Sequence, residues 1–230
     1  MISLIPVLGI PEIHPGDVLA ELIARHADLA RGDVVVVTQK IVSKAEGRLM
    51  PVDPDDPSSH HQLVLDESVR VLRRREHVIV TETRHGFICA NSGVDRSNVD
   101  PGWAALLPLD SDRSARRIRD GLRARAGVEV GVIISDTFGR PWRQGLTDVA
   151  IGCAGVAAVH DLRGGTDANG RELHVTAVCV ADELAAAAEL VMGKASSIPV
   201  AVVRGVDRAW LRESSVHDEI VRNYADDLFR

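Results

Sequence analysis

Apolar and polar positions along the chain fall into short blocks that alternate between a period near two and one near 3.6. Residues 2–7 predict a first strand, followed by a loop punctuated by Gly9, Pro11 and Pro15. Leu19, Leu22 and Ile23 stand at helical spacing and predict a helix over 17–27. GDVVVVTQK (32–40) reads as a turn leading into a short buried strand, and PVDPDDPSS (51–59) as a polar, proline-rich loop suited to a hinge or flexible cover. A helix is predicted at 60–75, ending in Arg73, Arg74 and Arg75. HVIVTETRHGFICANSG, which opens at His77, reads as a hairpin with its turn near Arg84 to Gly86.

SDRSARRIRDGLRARAG (111–127) predicts a helix with Ala115, Ile118 and Leu122 as its apolar stripe and Gly127 as its stop, and a strand over 128–135 follows. Six arginines on that helix, at 113, 116, 117, 119, 123 and 125, fit a solvated face more simply than an anion site. TDANGRELHVTAVCV (166–180) gives a turn and an alternating strand, ADELAAAAELVMG (181–193) an alanine-rich helix stopped by Gly193, and IPVAVVRG (198–205) a buried strand. Residues 213–228 read as a closing helix. Helices interleave with strands, but hairpin-like pairs favour an α+β, mixed-sheet arrangement over a purely parallel one. No internal repeat or low-complexity segment divides residues 1–230, which read as one domain.

Composition narrows the core and the partners. Aromatic residues are 3% of the 230, so the core must be built from Val, Ile, Leu and Ala. A formal net charge of -6 argues against a general nucleic-acid binder and leaves room for a local basic pocket. Cys89, Cys153 and Cys179 lie far apart with no CxxC pairing, which gives neither a disulfide framework nor a zinc site and suits a reducing cytoplasm. The N-terminus lacks the basic residues of a signal peptide, and no apolar run approaches the roughly 18 residues of a membrane span. A cytoplasmic protein with no membrane partner is the expectation. His60 and His61 sit in a polar region and read as exposed.

Nucleotide-binding fingerprints of the GxxxxGK[ST] and GxGxxG kinds are missing, as are HExxH and GxSxG. Three polar clusters flank apolar strands instead: TQKIVSKAEGR (38–48), NSGVDRSNV (91–99) and SDTFGRPWRQG (135–145). Asp95 and Asp136 each read as ending a strand. Two carboxylates with a neighbouring hydroxyl suit Mg²⁺ or Mn²⁺, which take oxygen ligands and leave positions for phosphate oxygens. Nearby lysines and arginines suit phosphate or carboxylate groups. The combination points to phosphoryl chemistry, beside the plainer reading of aspartates as caps or turn formers and basic clusters as solvated surface.

PVLGIPEI, GDVVVVTQKIVSKAEGR, ANSGVDRSNV, SDTFGRPWRQG, ADELAAAAELVMGK and PVAVVRG together resemble the coenzyme F-420:γ-glutamyl ligases, in the family's order, from about residue 4 to residue 205. The likeness is greatest to the actinobacterial type, whose ligase region can be fused to a C-terminal flavin-binding domain; the expectation is a free-standing ligase domain or an excised ligase half. The resemblance implies a two-lobed, interleaved fold, a homodimer, and a GTP-dependent amide ligase. Such a ligase adds L-glutamate to the zero-glutamate form of coenzyme F-420 through an acyl phosphate and then extends a γ-linked tail. Two Mg²⁺ or Mn²⁺ ions, with K⁺ as a further candidate, are the implied cofactors.

Carried over by position, Asp95 and Asp136 match the family's metal-binding aspartates, and Thr137 a residue beside the second metal. Gly9, Ile10, Pro11, Glu12, Gln39, Lys40, Lys44 and Asn98 fall where family members contact the guanine nucleotide. Met192, Gly193, Lys194, Ala195, Ser196, Ser197 and Ile198 match a further nucleotide-binding loop. Archaeal members can carry a glutamate metal ligand in that loop, where this chain has Lys194. The second ion would then use water or another carboxylate, or Lys194 would touch phosphate directly. Arg48, Arg140 and Arg143, from charge and position alone, are candidates to hold the acceptor or glutamate, or else salt bridges securing loops. Glu183 suits the start of its helix better than catalysis, and Trp142 reads as a ring-stacking or buried anchor residue. The alternatives are a related ligase with another acid acceptor and a non-catalytic nucleotide-binding module.

Overall fold

Four consecutive valines set the centre of the molecule. Val34, Val35, Val36 and Val37 are fully buried, and strand alternation sends Val35 and Val37 into one core and Val34 and Val36 into another. The computed structural model describes residues 1–76 and 78–228. Its elements run β1 (Ser3–Pro6), α1 (Leu19–His26), β2 (Val34–Thr38), α2 (Gln39–Ala45), β3 (Leu49–Pro51), α3 (Pro57–Asp66), β4 (Ser68–Arg75), β5 (Val78–Thr83), β6 (Ile88–Ala90) and β7 (Trp103–Ala105). Then follow α4 (Ser111–Ala126), β8 (Gly131–Arg140), β9 (Arg143–Ala154), β10 (His160–Asp161), β11 (Ala177–Val178), α5 (Val180–Met192), β12 (Val200–Arg204) and α6 (Val216–Glu219).

The main sheet is mixed, with order β1-β12-β2-β8-β9. β2 pairs with β8 in parallel, and the other neighbours are antiparallel. On one face α1 and α4 bury Leu19, Ala20, Ile23, Ala115, Ile118 and Leu122. On the other, α5 buries Ala181, Leu184, Ala185, Ala188 and Met192, its small side chains letting the helix lie close to the strands. Gly152 permits a second close approach: a Cβ there would stand 2.3 Å from the carbonyl carbon of Ser111 at the start of α4. A smaller lobe, inserted between α2 and α4, packs α3 and β3–β7 around Val52, Val64, Ile79, Val94, Ala104 and Leu106. The α+β, mixed-sheet expectation therefore holds. No helix among the described residues is long and apolar enough to cross a membrane.

Several boundaries differ from those read in the sequence. The helix expected over 60–75 is two elements: α3 starts at Pro57 under an Asp56 cap and stops at Asp66, and Ser68–Arg75 is β4. Ser68 closes the helix through its hydroxyl to the Leu65 carbonyl (2.8 Å), and the chain then pairs to β5 as a strand with Val69 bulged out of the register. The hairpin is present as β5–β6, although His77, its expected first residue, lies outside the described residues. The strand expected at 128–135 is β8, which runs on to Arg140, so Asp136 lies within a strand rather than at its end. Asp95 likewise ends no strand; it makes a single bridge to Ala105. The alternating strand expected in 166–180 shrinks to β11. The closing helix over 213–228 reduces to α6 and one tight turn at Tyr224–Asp226, because Asn223 turns its side chain onto the Ala225 amide (3.2 Å). His60 and His61 are half-buried rather than exposed.

Candidate functional site

β2 and β8, the parallel pair, deliver Thr38-Gln39-Lys40 and Ser135-Asp136-Thr137 side by side, with Thr38 opposite Ser135. Crevices outside the carboxyl ends of parallel strands are natural binding positions, since polar groups can gather there on rigid supports. A cleft of about 880 Å³ opens at this point, closed by the loop after β1, by residues 89–100 of the small lobe and by the loop after α5. Pairing of β9 to β8 steps by one residue here: Ile134 faces Gly152 and Ser135 faces Ala150, leaving Ile151 as the extra residue. Such a bulge re-aims side chains at the end of a sheet.

Asp95, Asp136 and Asp148 are among the carboxylates that line the cleft. Asp95 is bonded to the Lys40 ammonium and to the Ser97 amide (2.7 Å) and hydroxyl (2.8 Å). Burial opposes its ionisation, but Lys40 and Ser97 together outweigh burial and hold its carboxyl below the usual range. Asp136 has no basic partner at ion-pair distance among the described residues. Burial, with Asp95 and Asp148 as negative neighbours, pushes it up to about 7 against the opposing Thr137 amide and Lys40. Asp148, 2% exposed, accepts hydrogen bonds from Ser135 Oγ (3.0 Å), Thr137 Oγ1 (2.6 Å) and Lys194 Nζ (3.1 Å). Lys194 also donates to Thr137 and pairs with Glu189 (3.2 Å). Lys44 pairs with Glu12 across the cleft's other rim.

Of the residues singled out in the sequence, Ile10, Pro11, Glu12, Gln39, Lys40, Lys44, Asp95, Asn98, Asp136, Thr137, Gly193, Lys194, Ala195, Ser197 and Ile198 line this cleft. Asn98 and Ser197 hold left-handed backbone (φ 51 and 54), and the Asn98 amide reaches the Lys194 carbonyl at 3.5 Å. Met192 is instead fully buried in the α5 core, Gly9 turns the loop with φ 79, and Ser196 is exposed beside the lining residues. Arg48 lies away from the cleft and fastens the small lobe, bonding Glu67 (2.9 Å) and the Leu107 carbonyl (3.2 Å). Arg140 and Arg143 flank the exposed tip of the β8–β9 hairpin, and Trp142 there is 84% exposed, so it is no buried anchor. Glu183 lies in the first turn of α5.

Sequence reasoning passed over Asp148 and Glu189. The Thr147–Ala150 stretch of β9 carried a weak signal, since its alternation places Asp148 directly opposite Thr137. Gln39 adds a buried amide nitrogen with no partner at the cleft wall, a donor left over for whatever enters.

The donor set fits hard divalent cations: it is oxygen only, rich in negative charge, and includes a carboxylate that burial and its neighbours keep from ionising easily. Among the described residues no three His, Cys, Asp or Glu side chains close around one point. Any ion would therefore take one or two carboxylates from the protein and complete its shell with water or phosphate, the usual habit of Mg²⁺.

A family model described as F420-0:gamma-glutamyl ligase matches residues 8–205. Among curated proteins, the coenzyme F420:L-glutamate ligase of Methanopyrus kandleri is 44% identical, covering 95% of this chain and 94% of its own length. The enzyme of that name from Methanothermobacter thermautotrophicus is 43% identical, covering 100% of this chain and 99% of its own. The one from Archaeoglobus fulgidus is 42% identical, with coverage of 100% and 96%. The chain belongs to the F420-0:gamma-glutamyl ligase family.

Proposed function

We propose that this chain is a GTP-dependent amide ligase that joins L-glutamate to the zero-glutamate form of coenzyme F-420 and then extends a γ-linked tail. The observation that supports it best is the convergence of Asp95, Asp136 and Thr137 with Lys40, Lys44 and Lys194 in one cleft at the ends of the parallel strands. Membership in the family supports the acceptor and the amino acid; the lysines and carboxylates lining the cleft support a triphosphate as the third substrate.

A free carboxylate is a poor electrophile, because displacing oxide from it is prohibitive. Transfer of the γ-phosphoryl group of GTP to the acceptor carboxylate oxygen, with departure of GDP, converts that oxygen into a phosphate leaving group. The glutamate amine then attacks the acyl carbon, loses a proton, and expels phosphate as the amide forms. Bound Mg²⁺ or Mn²⁺ would neutralise charge on the phosphate oxygens during the first transfer. Asp95 and Asp136 would hold the ion, with Thr137 beside a second position. Lys40 stands where it can lie along the phosphates once its partner Asp95 is met by the ion, and Lys44, on the same helix, can turn to them from the exposed Glu12. Gln39 offers its amide N–H to the nucleotide, and the loop 193–198 covers it, excluding water that would hydrolyse the acyl phosphate. A homodimer, with K⁺ as an additional ion, is part of the same reading.

Incubation with GTP, Mn²⁺ or Mg²⁺, L-glutamate and zero-glutamate coenzyme F-420 tests it by product mass. Products heavier by successive glutamyl residues, with GDP and phosphate released in equal amount, are expected. GTP binding with no heavier product would refute this ligase in favour of a related ligase with another acid acceptor or a nucleotide-binding module.

A further inference from the structure

Lys194 is the one cleft lysine carried on a loop rather than a helix, and it reaches back across the sheet end to three oxygens on three segments. Its ammonium meets the Thr137 hydroxyl on β8, Asp148 Oδ1 on β9 at 3.1 Å and Glu189 Oε1 on α5 at 3.2 Å. Asp148 is 2% exposed, and among the described residues its other side-chain partners are the hydroxyls of Ser135 and Thr137. A hydroxyl and two carboxylates around a cation are the oxygen set a hard divalent ion takes. The position is therefore filled by a charge that the chain itself carries.

We infer that Lys194 is a resident cation: its ammonium occupies the Thr137–Asp148–Glu189 cradle in place of a second metal ion, so the cleft takes one exchangeable divalent ion per chain. That ion belongs at Asp136, the neighbour of Thr137 on β8, which has no basic partner at ion-pair distance among the described residues. The inference rests on the metal reading given under Proposed function. Two features favour the lysine as permanent occupant. Its tether makes its local concentration high and independent of metal supply. The cradle also offers the ammonium three acceptor oxygens, one for each of its protons. Lys40 differs, since it stands on α2 and bonds Asp95 from the side that Ser97 also holds.

Counting bound Mn²⁺ on the full chain, from the electron paramagnetic resonance signal of the free ion, separates the possibilities. Wild type is expected to bind one Mn²⁺ per chain. Lys194→Ala should bind two, and so should Lys194→Met, which keeps the aliphatic stem. Lys194→Ala combined with Asp148→Asn should return to one. The Lys194 side chain is 59% exposed, so its truncation leaves the core intact. Two ions in wild type, or one in both Lys194 variants, would overturn the inference while leaving the metal reading in place. No bound Mn²⁺ in any form would overturn the metal reading itself.

Discussion

Replacing Asp136 by asparagine is expected to stabilise the metal-free chain while removing its response to metal. The carboxyl is raised from 3.8 to about 7 by burial and by its negative neighbours Asp95 and Asp148. A raised carboxyl favours the protonated form in the native state. From about pH 4 to about 7 the native chain therefore holds a proton that the unfolded chain has released. Stability falls through that window as pH rises, and levels off above it. The displacement, at about 1.4 kcal/mol per pH unit, amounts to about 4 kcal/mol. Asp136 edges the cleft and some water reaches it, and asparagine needs its own hydrogen bonds there, so a gain of about 2 kcal/mol is expected at pH 8. For a chain of this size that is a rise in midpoint of about 6 °C. Thermal unfolding with chelator at pH 5 and pH 8 measures it. The wild type should lose stability between the two pH values, and Asp136→Asn should lose less. Saturating Mn²⁺ should then restore the wild type, by about 2.7 kcal/mol at a hundredfold excess over Kd, and leave the variant unmoved. Equal pH profiles in chelator, or a variant weaker than wild type at pH 8, would refute the electrostatic account.

Arg48→Ala should cost about 1 kcal/mol of stability, because it takes one of the two arginines from half-buried Glu67, Arg84 remaining at 3.1 Å, and should leave Mn²⁺ binding unchanged; urea unfolding beside a metal titration checks both. Gly93 holds φ 69, and a Cβ there would stand 2.7 Å from the Leu107 side chain. Gly93→Ala should therefore lower stability by about 3 kcal/mol, read from the denaturation midpoint. Arg140→Ala and Arg143→Ala, at the exposed hairpin tip, should stay within about 0.5 kcal/mol of wild type and keep GTP affinity within about twofold, which calorimetry would show.

The sequence was most legible where one physical signal dominated. The Val34–Val37 run announced a strand buried on both faces, and Gly127, at φ 68, ended α4 where its left-handed backbone was needed. The polar clusters after the buried strands also led to the cleft, although each one alone reads as well as a cap, a turn or solvated surface. Legibility failed where tertiary pairing overrode local pattern. Ser68–Arg75 carries enough arginine and leucine to pass for the end of a helix, and only its pairing to β5 makes it a strand. β9 hid because its first half, Arg143–Asp148, is mostly exposed and polar, and Asp148 was hidden with it. Contacts between Lys194 and Asp148 join a loop to a strand far away in the chain, and no local period records them.

The parallel pairing of β2 with β8 also bears on when the protein becomes competent during its synthesis. The small lobe and α4 lie between those two strands in the chain, and β12, which pairs with β2 on its other side, comes close to the end. The basic groups of α2 and Asp95 leave the ribosome early, yet the wall with Asp136 and Thr137 arrives with β8, and the covering loop only just before β12. Closure of these distant contacts is slow relative to local helix formation. A nascent chain released before Val200–Arg204 has the charged groups of the cleft without the sheet that unites them, and its exposed valines make it a client for chaperones rather than a partial enzyme.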